Sequence, residues 1–308
     1  MSLWPGAKLP DLTGKTVIVT GANSGIGYYT ALELARAGAE TVLACRSAER
    51  GESAAARINA EAPGRAKFLR LDLADFASVQ EFAGAFKETH GTLDILINNA
   101  GVMAPHRRQV TAQGFELQFG VNFLGHFLLN RLLLPVLMDA PTPRVVQISS
   151  IAHRQGQMAF EDLQSERRYK PWPAYQQSKL AMLIFAQELQ RRSDAGGWGL
   201  LSLAAHPGIA ATELVANGPG NKSLMAVLMN LGKAFVVQPG DAGAWPLILA
   251  ATDPAAKPGA YYGPVGIGEF RGRPGLAKTM PQALDAQTGA RLWQVAEALT
   301  GGVFTPAQ

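Results

Sequence analysis

The sequence predicts an α/β fold, in which a doubly wound, mainly parallel sheet carries helices on both faces. Short apolar runs alternate with longer segments of helical periodicity along the first two thirds of the chain. Strands that are apolar on both faces and alternate with helices are typical of a parallel sheet covered on both sides. The chain has 308 residues, of which 47% are hydrophobic and only 17% charged. This composition supports one large core, so we expect a single domain over residues 1–308.

The elements follow one another in a regular order. Glycine and proline mark several helix ends, for example at Gly38 and at Pro63-Gly64. Right-handed crossovers would wind the units into one sheet, whose sites lie at the carboxyl ends of the strands. The predicted strands are residues 15–20, 41–45, 67–71, 94–98, 144–149 and 200–205. The predicted helices are residues 25–38, 48–61, 76–89, 111–139 and 173–193.

The pattern changes after Pro207. Residues 208–240 contain glycine, proline and asparagine around an apolar segment at 224–231. Residues 263–284 are rich in glycine and proline, which predicts a loop, and residues 285–299 read as a final helix. We expect residues 264–308 to form a C-terminal extension packed on the domain.

A glycine-rich turn follows the first predicted strand, with the sequence Thr20-Gly21-Ala22-Asn23-Ser24-Gly25-Ile26-Gly27. Glycine permits a tight turn and the close approach of a phosphate, and the following helix N-terminus adds N–H donors and partial positive charge. No lysine follows in the spacing of a P-loop NTPase. The turn therefore predicts a dinucleotide site, and a purely structural turn is the alternative.

The ends of the second and third strands bear on which dinucleotide is bound. An acidic residue at the end of the second strand would suit a free ribose 2′-hydroxyl, but the sequence has Arg46 there. Because Arg46 can pair with a 2′-phosphate, we favour NADP(H) over NAD(H). The alternative is that Arg46 starts the next helix in solvent. Asp72, after the third strand, is expected either to contact the adenine or to cap the next segment.

A tyrosine and a lysine are spaced for one helix face. Tyr175 and Lys179 are four residues apart near the start of an apolar helix, so their side chains project together. A phenol has an ordinary pKa of about 10, and a nearby ammonium is expected to lower it. Tyr175 is therefore a candidate general acid or base, with Lys179 as its electrostatic partner.

The motifs together resemble those of the short-chain dehydrogenases/reductases, which have the Rossmann fold. The resemblance covers about residues 13–262. It rests on TGANSGIG at 20–27, NNAG at 98–101, Ser149-Ser150, YQQSK at 175–179 and His206-Pro207-Gly208. The sequences at 44–46, 71–73 and 149–153 resemble the retinol-dehydrogenase-like and protochlorophyllide-reductase-like branch. Residues 151–174, with Phe160, Tyr169 and Trp172, are longer than in many members, and form either a roof over the pocket, a contact between subunits or a peripheral flap.

The resemblance implies a role for each matching residue. Ser150 would hydrogen-bond the substrate oxygen, with Ser149 as the alternative, and Tyr175 would transfer the proton. Lys179 would tune Tyr175, and Asn122 would hold a water of the proton relay. The implied cofactor-binding residues are Gly21, Asn23, Ser24, Gly25, Ile26, Gly27, Arg46, Asp72, Leu73, Asn99, Ala100, Gly101, Tyr175, Lys179, Pro207 and Gly208.

The family resemblance also suggests a substrate. Residues 208–240 fall where the family carries its substrate lobe, and the apolar, methionine-containing segment at 224–231 suits an adaptable lid, or else plain core. We expect an NADP-dependent reductase of bulky apolar ketones or aldehydes, or a dehydrogenase of the corresponding alcohols. A carbon–carbon double-bond reductase and a non-catalytic, NADP-binding regulatory protein are the alternatives.

Several other classes of partner are not expected. The arginine pairs are scattered without interleaved aromatics, so we expect no nucleic-acid partner, and the five histidines and one cysteine lack metal-ligand spacing. The first ten residues do not resemble a secretory signal, and the apolar run at 127–138 is broken by Asn130 and Arg131, so we expect no membrane span. The single cysteine suits a cytoplasmic location. A homodimer, a homotetramer and a monomer all stay open.

Overall fold

Eight strands form one sheet in the order β3-β2-β1-β4-β5-β6-β7-β8. This architecture comes from a computed structural model that describes Trp4 and residues 8–210 and 238–306. Neighbouring strands from β3 to β7 pair in parallel, and β7 pairs with β8 antiparallel. The strands are β1 (Thr16–Thr20), β2 (Glu40–Cys45), β3 (Ala66–Arg70), β4 (Ile95–Asn98), β5 (Arg144–Ile148), β6 (Leu201–Ala205), β7 (Tyr261–Pro264) and β8 (Pro274–Leu276).

Helices cover both faces of this sheet, which confirms the predicted doubly wound α/β fold in a single domain. The strand order reverses between β1 and β4, and a crevice for a ligand opens at the carboxyl edge of such a reversal. The helices are α1 (Gly25–Arg36), α2 (Ala48–Glu61), α3 (Phe76–Thr89), α4 (Leu117–Phe119), α5 (Gly125–Met138), α6 (Pro171–Gly196), α7 (Gly240–Thr252), α8 (Pro281–Leu284) and α9 (Ala286–Thr300).

Two apolar layers hold the helices to the sheet. On one face, α3, α5, α6 and α9 pack together, and Trp293 of α9 lies edge-on to Phe127 of α5, with ring centroids 5.1 Å apart. On the other face, α1, α2 and α7 pack through side chains such as Leu34, Ile58 and Leu247. Residues 264–308 thus include a helix whose aromatic residue is inserted into the main core.

The predicted long helix at 111–139 begins later than expected. Glu116 caps it, with side-chain oxygens that accept from the backbone N–H groups of Gln118 and Phe119, and residues 111–115 form a turn instead. A π-helical turn, Gly120–Leu124, joins α4 to α5. The cap and the inserted residue of a π turn are local backbone features that apolar periodicity does not reveal.

The region after Val237 differs most from the prediction. Helix α7 and strand β7 were not predicted, and the segment at 263–284, predicted as a loop, contains the end of β7, strand β8 and α8. Helix α7 is apolar on nearly every side and includes Pro246, so it has no periodic pattern to find. The predicted apolar lid at 224–231 lies outside the described residues.

One helical stretch, Leu117–Met138, is long and apolar enough to cross a membrane by length and composition. Asn130 and Arg131 were expected to interrupt this stretch, but the helix continues through both residues. Asn130 is buried in α5, where its Nδ2 donates a 2.6 Å hydrogen bond to the backbone oxygen of His126. Because 78% of the apolar window is buried inside the fold, the stretch is accounted for as a core helix.

Candidate active site

The glycine-rich turn connects β1 to α1 at the carboxyl edge of the sheet. Gly21 and Gly25 have φ of +67° and +57°, in the left-handed region that favours glycine. A Cβ on Gly27 would lie 2.4 Å from Nδ2 of Asn99 and 2.6 Å from the backbone oxygen of Gly21. Both distances are shorter than a van der Waals contact, so only glycine fits here without a shift of the neighbouring atoms. The turn therefore packs directly on the loop after β4, and helix α1 begins at the strand reversal.

Thr20 joins these two loops by hydrogen bonds. Its hydroxyl oxygen accepts from the backbone N–H of Ala100 at 2.9 Å, and its backbone oxygen accepts from Nδ2 of Asn99 at 2.8 Å. Gly101 follows, and a Cβ there would lie 3.1 Å from Oδ1 of Asn122 and 3.5 Å from Nζ of Lys179. The predicted cofactor loop and two predicted catalytic side chains therefore meet at one place.

Ser150, Tyr175 and Lys179 converge beside that loop. The Ser150 hydroxyl lies close enough to the Tyr175 hydroxyl to favour its ionised form, and the Lys179 ammonium lies 5.9 Å from the centre of the Tyr175 ring. Lys179 Nζ donates a 3.0 Å hydrogen bond to the backbone oxygen of Ile148 at the end of β5. Tyr175 and Lys179 are both buried, since one turn of α6 places them on the face against the sheet.

Burial dominates the electrostatics of this pair. It raises the pKa of Tyr175 to about 12, and the nearby Ser150 hydroxyl opposes the rise only in part. It also lowers the pKa of Lys179 to about 8, because a charged ammonium is costly away from water. The expectation that Lys179 lowers the Tyr175 pKa is therefore wrong for the protein itself: desolvation of the phenol is the larger effect.

Asn122 lies in the π-helical turn and links the loop after β4 to α6. Its Oδ1 accepts from the backbone N–H of Val102 at 2.8 Å. Its Nδ2 donates to the Val102 oxygen at 3.0 Å and to Ser178 Oγ at 2.9 Å. Both N–H groups of Nδ2 and one lone pair of Oδ1 are used in these contacts, and the water-holding role that the resemblance implies stays a prediction.

The remaining predicted cofactor residues line the same edge. Arg46 is exposed after β2, and Asn23 lies in the glycine-rich turn beside it. Asp72 uses Oδ1 to accept from the backbone N–H of Ala74 at 3.0 Å in the loop before α3, and Leu73 beside it is buried. The residue that caps α3 is Asp75, so the expectation that Asp72 caps the next segment is wrong. Pro207 accepts a 2.6 Å hydrogen bond from Nε2 of Gln238 at its backbone oxygen.

The comparisons with known proteins agree with this geometry. The sequence profile described as short chain dehydrogenase matches residues 15–222, about two thirds of the chain. The protein belongs to the short-chain dehydrogenase family.

The similarity of this short-chain dehydrogenase to individual relatives extends over nearly its whole length. Human retinol dehydrogenase 13 is 42% identical over 298 residues, which cover 94% of this chain and 86% of the relative. Mouse polyprenol dehydrogenase is 40% identical over 95% of this chain and 86% of its own length. These relatives confirm the retinol-dehydrogenase-like branch.

Two solved structures share the fold. A crystal structure of a protein from Mycobacterium paratuberculosis is 40% identical, with a TM-score of 0.81 and coverage of 99% of this chain and 100% of that one. RhlG of Pseudomonas aeruginosa, solved as an active-site complex with NADP, is 25% identical, with a TM-score of 0.65 over 82% of this chain and 94% of that one. This short-chain dehydrogenase is therefore an oxidoreductase of a family that uses a nicotinamide cofactor.

The site of this short-chain dehydrogenase fits such a dinucleotide. The fit rests on the glycines, because Gly21 would place a Cβ 2.9 Å from Cα of Ala100, and only its absence lets the two loops close into one cradle. The N-terminus of α1 supplies backbone N–H donors for the phosphates at that cradle. Tyr175, Lys179 and Asn122 lie at the other side of the strand reversal, where the reactive end of a dinucleotide would be held.

The insertion at 151–174 packs against the loop after β4 and α4, and one of its residues reaches Tyr175. Tyr169 donates from its hydroxyl to the backbone oxygen of Pro105 at 2.8 Å and accepts from Nε2 of Gln118 at 3.2 Å. Trp172 lies edge-on to Tyr175, with ring centroids 5.7 Å apart. Phe160 contacts the core. Of these three aromatic residues, Trp172 contacts Tyr175, whereas Tyr169 fastens the insertion to the loop after β4 and Phe160 lies under Arg291 of α9.

His126 gave no signal in the sequence, yet it ties the site together. This buried imidazole lies 2.9 Å from the Asn122 backbone oxygen through Nδ1 and 2.9 Å from the Thr20 hydroxyl through Nε2. A carbonyl oxygen only accepts, so Nδ1 carries the proton, and Nε2 accepts from Thr20. Burial lowers the pKa of His126 to about 3, so the ring is neutral at ordinary pH.

Arg50 is a second residue that the sequence did not single out. With the amide oxygen of Asn23 turned toward α2, that oxygen accepts from Nε and Nη2 of Arg50, each at 3.3 Å. Arg50 thus lies in the first turn of α2, four residues after Arg46, and beside the glycine-rich turn. A basic residue in the first turn of this helix is the sequence signal that would have found it.

Proposed function

We propose that this short-chain dehydrogenase is an NADP-dependent reductase of bulky apolar ketones and aldehydes, and that it oxidises the corresponding alcohols in the reverse direction. The observation that carries the proposal is the convergence of Ser150 and Lys179 on a buried, protonated Tyr175. A carbonyl oxygen placed between the two hydroxyls would receive two hydrogen bonds that strengthen as negative charge develops on it.

The chain's own residues account for the proton. Because burial raises the pKa of Tyr175 to about 12, the phenol is protonated at neutral pH and can act as the general acid of a reduction. Ser150 accepts or donates at the same oxygen, and the ammonium of Lys179 stabilises the phenolate as the proton leaves. The bound nicotinamide supplies the hydride, so the protein contributes position, electrostatics and the exclusion of water.

Arg46 and Arg50 support NADP over NAD. Arg46 directly follows β2 and Arg50 lies in the first turn of α2, and no acidic side chain precedes α2 at residues 45–47. A 2′-phosphate carries negative charge that guanidinium groups match in bidentate geometry. The NADP complex of RhlG is consistent with this choice.

The proposed substrate class is supported by the relatives and by the aromatic residue Trp172 beside Tyr175. Retinol and polyprenol, named in two relatives, are long apolar alcohols, and Trp172 presents an apolar edge beside Tyr175. The predicted lid at 224–231 would add to this surface, and it stays a prediction. The cytoplasmic location and the oligomeric state also stay predictions.

The test is NADPH and NADH oxidation with a panel of all-trans-retinal, decanal, a bulky aryl ketone and an enone. We expect turnover with NADPH and alcohol products, and a fall in kcat of about 10²- to 10⁴-fold in Tyr175→Phe. Tyr29→Phe, a tyrosine of α1 outside the site, is the matched control. NADPH binding without turnover, or reduction of the enone at its double bond alone, would contradict the proposal.

Cofactor choice has its own test. Arg46→Ala should raise the KM for NADPH about 10-fold and leave that for NADH unchanged, since only NADPH carries the 2′-phosphate. Arg50→Ala should raise the KM for NADPH more than that for NADH, because Arg50 also holds Asn23 in the glycine-rich turn. Arg168→Ala, an exposed arginine of the insertion, is the control. Equal effects on both cofactors, or a wild-type preference for NADH, would overturn the choice of NADP.

A further inference from the structure

One carboxylate from the C-terminal extension joins two turns that border the active site, the turn after β5 and the turn after β6, which we call its first and second walls. Oε2 of Glu269 lies 2.6 Å from Nη2 of Arg154, in the turn after β5, and 3.0 Å from Nε2 of His206, in the turn after β6. Its other oxygen accepts from the backbone N–H of Lys278 at 2.9 Å. No other carboxylate among the described residues is shown to bridge these two turns.

The first wall carries Ser150. This serine caps the 3₁₀ turn Ile151–Gln155, which also contains His153 and Arg154. Nδ1 of His153 donates a 2.6 Å hydrogen bond to the backbone oxygen of Ser150, and the imidazole is buried edge-on against Tyr261. Arg154 is the next residue, so its ion pair with Glu269 fixes the turn that holds Ser150.

The second wall carries Pro207-Gly208, where the resemblance places cofactor contacts. The Gly208 N–H donates to Nδ1 of His206 at 3.2 Å, which leaves the proton of the neutral imidazole on Nε2, facing Glu269. His206 is fully buried, so this orientation has no competition from water. A Cβ on Gly208 would lie 2.3 Å from the backbone oxygen of Phe270, the residue after Glu269.

The backbone at Glu269 is unusual for its residue type. Its φ is +60°, in the left-handed region where glycine is favoured, and the preceding Gly268 has φ of +65°. A non-glycine residue keeps this conformation where its surroundings hold it. Here the side chain is held by Arg154, His206 and Lys278, so the strained position carries the contact between the two walls.

We propose that Glu269 is a positioning residue of the active site, which sets the distance between Ser150 and the Pro207-Gly208 turn by bridging Arg154 and His206. The proposal rests on the proposed reductase function. It assigns to the segment after β7 a part in catalysis, although this segment contributes no catalytic residue. For hydride transfer, the carbonyl carbon of a substrate held at Ser150 and the nicotinamide of a cofactor held at the Pro207-Gly208 turn would have to lie about 3–3.5 Å apart, so the spacing of the two turns affects the rate.

The test uses the full chain with Glu269→Gln, Arg154→Gln and the double variant. Glutamine keeps the shape of Glu269 and weakens the bridge without opening a cavity. We expect kcat/KM for the carbonyl substrate to fall about 10-fold or more in each single variant, with the Kd for NADPH within about 2-fold of wild type. The double variant should lose no more than the worse single variant, because both remove one bridge.

The matched control is Glu161→Gln. Glu161 pairs with Arg291 at 3.0 Å and likewise joins the insertion to the C-terminal extension, but at an exposed site away from Ser150. This variant should retain wild-type kcat/KM. Wild-type kcat/KM in the Glu269 and Arg154 variants, additive losses, or losses that follow only the melting temperature would overturn the proposal.

A readout without turnover separates this proposal from the reductase function. Arg154→Gln should shift the backbone amide resonance of Gly208, although Arg154 does not touch Gly208, because the effect passes through Glu269 and His206. A wild-type enzyme inactive on every panel member, together with this shift, would reject the reductase function and retain the bridge. An unchanged Gly208 resonance would reject the bridge whatever the activity.

Discussion

The Ser149 hydroxyl donates a 2.7 Å hydrogen bond to the backbone oxygen of Lys179. Ser149 is buried between β5 and α6. The hydroxyl of Ser150, the next residue, instead lies beside Tyr175. Adjacent side chains of an extended backbone point to opposite sides, so one serine attaches α6 to the sheet while the other faces the site.

Substituting the two serines should therefore have different effects. Ser150→Ala should lower kcat about 10²-fold, because a hydrogen bond to the developing alkoxide is lost, and should cost about 0.5–1 kcal/mol of unfolding free energy because Ser150 also caps the turn after β5. Ser149→Ala should cost about 1 kcal/mol of unfolding free energy and leave kcat of the folded enzyme near wild type. Steady-state kinetics and urea unfolding measure both. The reverse pattern would make Ser149 the substrate-binding serine.

The pKa of Lys179, lowered by burial to about 8, predicts a pH dependence. The ammonium is present below that pH and lost above it, while Tyr175, with a pKa raised to about 12, stays protonated. We expect kcat for carbonyl reduction to fall as the pH rises through about 8. The measurement is the pH profile of single-turnover reduction over about pH 6–10.

Lys179→Arg is the informative variant for this profile. A guanidinium stays charged throughout that range, so the variant should show a flatter profile even where its kcat is lower. Lys179→Met, which has no charge at any pH, should be slow throughout. A wild-type profile that is flat through pH 8 would show that the charge of Lys179 does not control proton transfer.

His126 predicts a loss of stability in acid. Burial lowers its pKa from the ordinary 6.5 to about 3, so the unfolded chain takes up a proton more readily than the folded one. The stability that this group contributes is therefore fully present above pH 6.5 and is lost as the pH falls toward 3. His126→Asn should lower stability at neutral pH, because the contact with Thr20 is lost, and should weaken the dependence on acid.

Denaturant unfolding at several pH values measures this dependence. His106→Asn, at an exposed position, is the matched control and should keep the wild-type slope of stability against pH. An unchanged slope in His126→Asn would mean that other groups account for the acid sensitivity. His153, whose pKa burial lowers to about 4, is the next group to substitute.

Two glycines should respond in opposite ways to alanine. At Gly27 a Cβ would meet Asn99 and the Gly21 backbone, so Gly27→Ala should disrupt the glycine-rich turn. The Kd for NADPH should rise at least 10-fold, which corresponds to about 1.4 kcal/mol of binding free energy. At Gly84, inside α3, a Cβ meets open space, so Gly84→Ala should stabilise the fold by about 0.5–1 kcal/mol. Cofactor titration and thermal unfolding measure both effects. Undiminished NADPH affinity in Gly27→Ala would contradict the close packing of the turn.

Most of the α/β units could be predicted from the sequence. Helices α2 and α3 have the predicted bounds, and β1 to β6 lie within a residue or two of the predicted ones. Their periodicity reflects which side chains face the sheet, so it is written locally in the chain. The end of the chain was less predictable, because α7 has no polar face and β8 has only three residues, which pair with β7 through the tertiary fold.

The sequence alone is enough to predict the order of the units, the glycine-rich turn, and the spacing that places Tyr175 and Lys179 on one helix face. The packed fold was needed to show that Ser150 and not Ser149 faces Tyr175, and that burial raises the pKa of that phenol above its ordinary value. It was also needed to show that Glu269 reaches Arg154 and His206. Spacing along a chain fixes directions between near neighbours, whereas burial and contacts between distant residues exist only once the sheet has brought its strand ends together.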